Sequence, residues 1–329
     1  MPRTLRAQHD RFALNRPFRI SRGVKTAADV VTVTVEQDGL RGQGEGVPYP
    51  RYGESIDSAL AEIEAVRDAI EAGVTREQIQ SLMKPGAARN AVDCALWDLE
   101  ARQSGHSVAQ IIGDPEPQRL ASALTVVIDS PAAMGAAARE IAAAPLIKVK
   151  VDTNSPDEQV SAVRAAAPNA RLIVDPNESW DEGLVRALQP LLVALRVDLL
   201  EQPVPSENDA WLEGFTPDIP ICADESAHVA GDIDQLARRY QVVNVKLDKT
   251  GGLTAALSLA AAARSRGLGL MTGCMVSSSL SIAPALHIAR MSDFVDLDGP
   301  VWLREDRPGG VRDEAGYMFP PSQGFWGTL

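Results

Sequence analysis

The chain has 329 residues, which is enough for about two domains or for one large barrel with an appendage. Apolar residues make up 45% and charged residues 23% of the chain, as in ordinary globular proteins and unlike disordered or fibrous chains. The 44 acidic residues outnumber the 32 basic ones, and the net charge of −12 argues against nucleic-acid binding, which requires basic residues to neutralise phosphates.

Cysteine usage and hydropathy indicate where the protein works. The three cysteines are far apart and form no CxxC pair, so the sequence predicts neither a disulfide framework nor a zinc ribbon. No uninterrupted apolar run reaches about 18 residues, and the first residues lack the apolar core of a signal peptide. We therefore expect a cytoplasmic protein without a membrane partner, and the sequence leaves a homo-oligomer open.

Residues 1–112 are predicted to form an α+β domain. Residues 30–36 alternate β-branched side chains with others, and Asp38-Gly39 is a turn signal before a glycine-rich return strand. Two helical patterns follow, one from Ser55 to near Gly73 and one from about Ala88 to Gln103. We expect these two helices to pack on the small sheet.

Residues 113–300 show a different pattern, in which eight short apolar runs alternate with alanine-rich helical stretches. The runs are LTVVI, LIKVKV, RLIVD, VDLLE, IPICAD, VVNVKL, LGLMTG and FVDLD. Their starts recur roughly every 22 to 28 residues, the length of a βα unit, which predicts an α/β fold of the TIM (β/α)₈ type. A doubly wound open sheet is the alternative, but it usually has fewer strands and a glycine fingerprint after the first. The repeat stops in residues 301–329, which we expect to return to the N-terminal domain.

Charged residues end six of the eight runs. Catalytic groups of TIM barrels lie where the strands end, whereas a single charged strand end is commonly just solvated. Here carboxylates end three successive strands and lysines end the two strands that flank them, an order that solvation does not explain. In chain order, the residues are Lys148 and Lys150, Asp175, Glu201, Asp224, Lys246, and Asp296 with Asp298.

The three central carboxylates suit a hard cation. Asp175, Glu201 and Asp224 would converge from adjacent strands with no His or Cys nearby, which favours Mg²⁺. The four histidines are scattered and form no HxH or HExxH pair, so zinc is disfavoured. The sequence therefore predicts a magnesium site.

The lysines suit proton transfer at carbon. Lys148 and Lys150 lie two apart on one strand and face the same way, so we expect their like charges to lower at least one ammonium pKa. Lys246 would arrive from roughly across the barrel. A hydrogen α to a carboxylate is weakly acidic, so its removal needs an enediolate stabilised by the metal. Two opposed bases would give inversion, whereas one base and one acid would give elimination or cycloisomerisation.

Five motifs at the strand ends resemble those of the muconate-lactonizing subgroup of the enolase superfamily. They are KVKVD at 148–152, VDPNESW at 174–180, LLEQPVP at 199–205, ICADES at 221–226 and NVKLDKTGG at 244–252. Further motifs resemble the dipeptide epimerases, especially those acting on L-Ala-D/L-Glu. They are ISRG at 20–23, GEGVPYPRYGES at 44–55, GAARNAVDCALWDLEAR at 86–102, LMTGCMVSSS at 270–279 and DLDGPVWL at 296–303.

The resemblance implies a fold and a role for each of these residues. The fold would be a modified TIM barrel covered by the N-terminal α+β capping domain. The metal ligands would be Asp175, Glu201 and Asp224, and the two acid/base catalysts would be Lys150 and Lys246, with Lys148 as their electrostatic neighbour. The substrate contacts would be Asp296 and Asp298 for the α-ammonium group, Arg22 on a lid for an acidic side chain, and Thr125.

The expected function is therefore a Mg²⁺-dependent isomerase that epimerises the C-terminal residue of a dipeptide, most simply L-Ala-Glu, by 1,1-proton transfer between two lysines. The resemblance also implies a role in murein peptide metabolism. The alternatives on the same scaffold are N-acylamino acid racemase, o-succinylbenzoate synthase and muconate cycloisomerase. Asp296 and Asp298 argue against them, because their substrates carry no ammonium group. A barrel that only binds a ligand would lack one of these residues, and none is missing.

Overall fold

A computed structural model describes residues 3–328. The N-terminal domain begins with an antiparallel sheet of three strands in the order β1-β2-β3: β1 (Thr4–Ile20), β2 (Gly23–Gln37) and β3 (Leu40–Gly46). The turn between β2 and β3 is the predicted one, and Asp38 and Gly39 adopt the left-handed backbone that tight hairpins favour, with φ of 53° and 78°.

Five helices complete this domain: α1 (Ile56–Ala65), α2 (Arg67–Glu71), α3 (Arg76–Leu82), α4 (Ala87–Ser104) and α5 (Val108–Ile112). The Ser55 hydroxyl accepts a hydrogen bond from the Ser58 amide and so fixes the predicted start of α1. The prediction of one helix from Ser55 to near Gly73 is wrong, because the backbone leaves the helical conformation at Val66 and two helices form.

The glycine-rich strand β3 packs directly on α4. A Cβ atom at Gly42, Gly44 and Gly46 would lie 2.2, 2.2 and 2.1 Å from the backbone oxygens of Ala95, Ala91 and Ala87, respectively. Real Cβ atoms do not come so close to an oxygen, so only glycine permits this contact. These glycines therefore serve helix packing.

A two-residue strand, β4 (Leu120–Ala121), precedes eight parallel strands in chain order. They are β5 (Leu124–Val126), β6 (Leu146–Lys150), β7 (Arg171–Asp175), β8 (Leu199–Glu201), β9 (Ile221–Ala223), β10 (Val242–Val245), β11 (Gly269–Gly273) and β12 (Phe294–Asp296). The amide of Ala123, just before β5, donates to the carbonyl of Val295 on β12 at 2.8 Å and joins the two ends of the sheet. The eight predicted strands and the barrel are confirmed.

The connections on the outside of the barrel are uneven. The α-helices are α6 (Pro131–Glu140), α7 (Pro156–Ala166), α8 (Glu182–Ala194), α9 (Ile233–Leu236), α10 (Leu247–Thr250), α11 (Leu253–Ser265) and α12 (Ser279–Ala289). Two 3₁₀ turns, Ser206–Asn208 and Ala210–Leu212, occupy the place of a helix after β8. The barrel is therefore a modified form of the (β/α)₈ type, as predicted.

The interior of the barrel is filled at the amino ends of its strands. One apolar side chain from each strand or the residue before it forms a buried layer: Ala123, Leu146, Ile173, Leu199, Cys222, Val242, Met271 and Phe294. This layer closes the barrel at that end, so a ligand can enter only from the carboxyl ends of the strands. No helix within residues 3–328 is long and apolar enough to cross a membrane.

The C-terminal segment contacts both domains. Its strands β13 (Arg312–Glu314) and β14 (Tyr317–Phe319) extend a small sheet with β4. Further along, the Trp326 indole donates to the carbonyls of Gln43 at 3.0 Å and Cys94 at 3.2 Å in the N-terminal domain. The domain boundaries after residues 112 and 300 stay predictions.

Candidate active site

The carboxyl ends of the barrel strands face a cavity of about 550 Å³ beneath the β1–β2 hairpin. Eight of the ten predicted site residues line this cavity: Arg22, Thr125, Lys148, Lys150, Asp224, Lys246, Asp296 and Asp298. The other two, Asp175 and Glu201, are fully buried and contact Lys148. The structure therefore brings the whole predicted set together.

Lys148 is the centre of a cluster of acids. Its Nζ lies 2.7 Å from Glu201 Oε2, 2.8 Å from Asp296 Oδ2 and 3.1 Å from Asp175 Oδ2. Burial lowers the pKa of this ammonium, but the attraction of Asp296, Glu201 and Asp175 outweighs burial and raises the pKa well above its usual value. The predicted lowering of at least one lysine pKa by the neighbouring lysine does not occur at Lys148, because three carboxylates contact it.

Lys150 and Lys246 reach the cavity from opposite sides of the barrel. Lys150 belongs to β6 and Lys246 follows β10, four places further round the eight-stranded sheet. Lys150 Nζ lies 2.5 Å from Asp175 Oδ2, and Lys246 Nζ lies 2.7 Å from Asp224 Oδ2. Burial lowers the pKa of Lys246, but the combined attraction of Asp224, Glu201 and Glu225 outweighs burial and raises it above its usual value.

The carboxyl pKa values of Asp175 and Glu201 are shifted in opposite directions. Burial raises the pKa of Asp175, but Lys150 and Lys148 reverse that effect and hold it at about 2. Burial and the charge of Asp175 raise the pKa of Glu201 to about 8. Glu201 is therefore the carboxyl group that resists ionisation unless a further cation is present.

Asp175, Glu201 and Asp224 have the chemistry to bind a magnesium ion. Lysine side chains lie between these carboxylates in the structure. No three His, Cys, Asp or Glu side chains within residues 3–328 are already arranged as a metal site. Asn244 Nδ2 donates to Glu201 Oε1 at 2.9 Å and orients that carboxylate. Three buried oxygens of this region accept no hydrogen bond from the described residues and form no ion pair: Asn177 Oδ1, Glu225 Oε2 and Asn244 Oδ1. Buried oxygens that accept no hydrogen bond are the kind of ligand atom that a hard divalent cation requires.

Lys249 is a buried member of the site that the sequence analysis did not single out. Its Nζ donates to Asp224 Oδ1 at 2.7 Å, to the carbonyl of the same residue and to the carbonyl of Asn244 at 3.1 Å. The short helix α10 places it nearly one turn after Lys246. That spacing of two lysines is the signal that could have identified it.

Arg22 lies at the tip of the β1–β2 hairpin, where the predicted lid falls, and is paired with acids of the barrel. Its guanidinium donates to Glu225 Oε1 at 2.7 Å and to Glu178 Oε2 at 3.1 Å. Arg51 holds the same Glu178 with two hydrogen bonds of 2.8 and 2.9 Å. These ion pairs fasten the hairpin over the cavity, and the sequence motifs did not reveal the two glutamates as its partners.

Asp296 keeps an oxygen without a hydrogen bond, whereas Asp298 is bound by its neighbours. Asp298 Oδ2 accepts from the backbone amide of Thr125 at 2.8 Å and from the Trp302 indole at 3.1 Å. Asp296 Oδ2 is bound to Lys148, whereas its buried Oδ1 accepts no hydrogen bond from the described residues. Burial and the charge of Asp296 raise the pKa of Asp298 to about 6. The Asp296 Oδ1 atom can therefore accept a hydrogen bond from one more donor.

A closed parallel barrel with acids and lysines at its strand ends, covered by an α+β domain, defines an enolase-like protein. The family model described as the mandelate racemase/muconate lactonizing enzyme N-terminal domain matches residues 3–113, and the one described as enolase C-terminal domain-like matches residues 133–325. The chain belongs to this family, which confirms the resemblance found in the sequence.

Individual relatives are similar over almost the whole chain. The L-Ala-D/L-Glu epimerase of Escherichia coli K12 is 48% identical, over 92% of this chain and 95% of the relative. The N-acetyl-D-glutamate racemase of a Pseudoalteromonas species is 42% identical, over 91% and 95%.

Solved structures agree with these similarities. An Agrobacterium tumefaciens enolase family member, with homology to dipeptide epimerases and with bound sodium and L-Ala-L-Glu, has a TM-score of 0.96 at 47% identity and covers 99% of this chain and 100% of its own. The dipeptide epimerase of Enterococcus faecalis, with Mg and L-Leu-L-Tyr, has a TM-score of 0.90 at 29% identity and covers 98% of each chain.

Proposed function

We propose that the protein is a Mg²⁺-dependent dipeptide epimerase, an isomerase that inverts the α-carbon of the C-terminal residue of L-Ala-D/L-Glu. The observation that carries this function is the position of Lys150 and Lys246, which enter one cavity from strands four places apart. The 48% identity to an L-Ala-D/L-Glu epimerase supports the same substrate. We place the activity in the cytoplasm, with a dipeptide as its partner and neither nucleic acid nor a membrane, and in murein peptide metabolism.

The two lysines perform the proton transfer. The α-carbon lies between them, and the lysine that is neutral removes the α-proton from one face. The lysine that is charged gives a proton to the other face, so the two lysines exchange protonation states and the carbon is inverted. Asp175 accepts a hydrogen bond from Lys150 and Asp224 accepts one from Lys246, which holds the two side-chain nitrogens in place.

Asp175, Glu201 and Asp224 would hold Mg²⁺. When bound, the ion neutralises the negative charge that develops on the substrate carboxylate as the α-proton leaves. The relative from Enterococcus faecalis carries Mg together with a dipeptide. Lys148 contributes a further fixed positive charge between Asp175 and Glu201.

The other predicted residues would recognise the substrate. The free oxygen of Asp296, together with Asp298, binds the α-ammonium group, which brings the missing donors. Arg22 binds the side-chain carboxylate of an acidic substrate residue. This carboxylate replaces one of the two glutamates that Arg22 contacts in the structure. Thr125 lines the cavity and contacts the peptide backbone.

A second candidate is racemisation of an N-acylated glutamate, which the 42% identity to N-acetyl-D-glutamate racemase favours. The two substrates differ at the nitrogen, because an ammonium group has three donors and a positive charge whereas an N-acyl amide has one donor and no charge. Two buried carboxylates side by side suit the charged group better.

The test is deuterium exchange by the wild-type protein. We expect L-Ala-L-Glu in D₂O with Mg²⁺ to gain one deuterium at the C-terminal α-carbon and to give both epimers, as read by mass spectrometry and chiral chromatography. EDTA should abolish the exchange. Exchange of N-acetyl-glutamate without exchange of L-Ala-L-Glu would contradict the dipeptide substrate, and no exchange of either would contradict the reaction.

A further inference from the structure

Lys25 is a cation of the cavity wall without an ion pair or a hydrogen bond from its side chain within residues 3–328. It pairs with Phe18 in the register of β1 and β2, so the two side chains lie on the same face of the hairpin, and both line the cavity. Its Nζ lies 4.9 Å from the centre of the Tyr49 ring. The hairpin therefore holds a half-buried ammonium over the cavity.

The acids that attract Lys25 from a distance already have partners. Asp29 binds the guanidinium of Arg11 at 3.0 Å, and Asp248 accepts from the Val47 amide at 2.9 Å. Burial without a partner lowers the pKa of Lys25. The chain carries a net charge of −12, yet no acid is paired with the ammonium of Lys25 in the cavity. A negatively charged group of a bound ligand would supply the missing partner.

Arg22, three residues earlier, provides the contrast. Its guanidinium carbon lies 5.8 Å from the centre of the same Tyr49 ring, so both cations stand against one aromatic side chain. Arg22 is already bound to Glu225 and Glu178, whereas Lys25 has all three of its donors available. A carboxylate that enters beside Tyr49 meets the ammonium of Lys25 without first breaking an ion pair.

We propose that Lys25 is a specificity residue, which binds the side-chain carboxylate of an acidic C-terminal residue together with Arg22. This inference rests on the proposed function, since it concerns the substrate of the same cavity. It adds a second cation to the lid and makes the preference for acidic dipeptides depend on both residues. Neutral dipeptides would use the same catalytic lysines without this contact.

The test compares the binding of two peptides to three variants. We measure the Kd of L-Ala-L-Glu and of L-Ala-L-Leu by calorimetry with Mg²⁺, for Lys25→Met, Lys25→Arg and a control, Lys84→Met. Lys84 pairs with Glu62 at 3.0 Å and does not line the cavity. We expect Lys25→Met to raise the Kd of L-Ala-L-Glu about tenfold, as for the loss of a charged hydrogen bond, and to leave that of L-Ala-L-Leu unchanged. Lys25→Arg should restore the wild-type Kd, and Lys84→Met should not change it.

An equal loss for both peptides would indicate a structural role of Lys25 and would overturn the proposal. An unchanged Kd for L-Ala-L-Glu in Lys25→Met, or a wild-type protein that binds neither peptide, would overturn it as well. Failure of the proposed function is seen separately, as absence of deuterium exchange by the wild-type protein.

Discussion

At the residue scale, the contacts of Lys148 with three other strands determine how its ammonium group titrates. Alternation along a strand predicts that Lys148 and Lys150 face the same side, and both line the cavity. The pattern does not give the distances between strands, and these place three carboxylates within 3.1 Å of Lys148 Nζ. The sign of its pKa shift therefore depends on contacts between residues far apart in sequence.

Asp296 offers a prediction at the same scale. Asp296→Asn removes the negative charge from the cluster and should raise the KM for L-Ala-L-Glu by about tenfold or more, because the α-ammonium loses a charged hydrogen bond. Exchange of N-acetyl-glutamate, which has no ammonium group, should not fall in parallel. Steady-state kinetics with both substrates measure this. An equal loss for both would mean that Asp296 acts through Lys148, to which it is bound at 2.8 Å.

At the element scale, the strands were predictable and some of the helices were not. The eight apolar runs contain the eight barrel strands, since buried parallel strands require continuous apolar residues. The helix expected to continue through Val66 breaks there, and α3 was not predicted although Thr75 and Gln78 form a capping box at its start. A local signal was present at α3, whereas the break at Val66 has no glycine or proline to mark it.

The contact between β3 and α4 gives the prediction at this scale. In Gly44→Ala the new Cβ would lie 2.2 Å from the Ala91 carbonyl oxygen, and backbone atoms cannot rotate away. We expect the free energy of unfolding to fall by about 3 kcal/mol, the upper end for overpacking. Urea denaturation measures this as a lower midpoint at an unchanged slope.

Gly231→Ala is the matched control. A Cβ atom added at Gly231 would have no neighbouring atom within 4 Å, and the backbone there is not left-handed. The substitution should therefore change the free energy of unfolding by less than about 1 kcal/mol. A Gly44→Ala variant as stable as Gly231→Ala would show that β3 and α4 can separate without cost.

At the scale of the whole molecule, the regular recurrence of apolar runs was enough to predict the fold class. The route of the C-terminal segment was harder to foresee, because it depends on single contacts such as that of the Trp326 indole with the Cys94 carbonyl. Eight of the ten candidate site residues were found because barrel strands all present their carboxyl ends at one edge, whereas Arg22 and Thr125 were implied by the family resemblance. Some of their hydrogen-bond partners, such as Glu178, lie in loops that have no repeating pattern.

His287 links global stability to pH. It is buried in α12, its ring lies 5.9 Å from that of Trp326, and burial lowers its pKa to about 4. The unfolded chain binds a proton at this residue near pH 6.5 whereas the folded chain does not, so its contribution to stability is lost as the pH falls from about 6.5 to 4.

His287→Leu removes this dependence. Relative to the wild-type protein, the variant should gain up to about 3 kcal/mol in free energy of unfolding between pH 6.5 and 4, at about 1.4 kcal/mol per pH unit. Other titrating groups are common to both proteins and cancel in the difference. Guanidinium denaturation at both pH values measures it, with the exposed His106→Leu as control. A difference that does not change with pH would contradict the burial of a neutral imidazole.

The central claim is that Lys150 and Lys246 act on opposite faces of one α-carbon. The most direct measurement is deuterium exchange in D₂O by Lys150→Ala and Lys246→Ala, with L-Ala-L-Glu and L-Ala-D-Glu supplied separately. We predict that epimerisation falls by about 10³-fold in both variants, while each variant still exchanges the α-hydrogen of one epimer, a different one in each case. If both variants exchange the same epimer, the two lysines share one face and the account is contradicted.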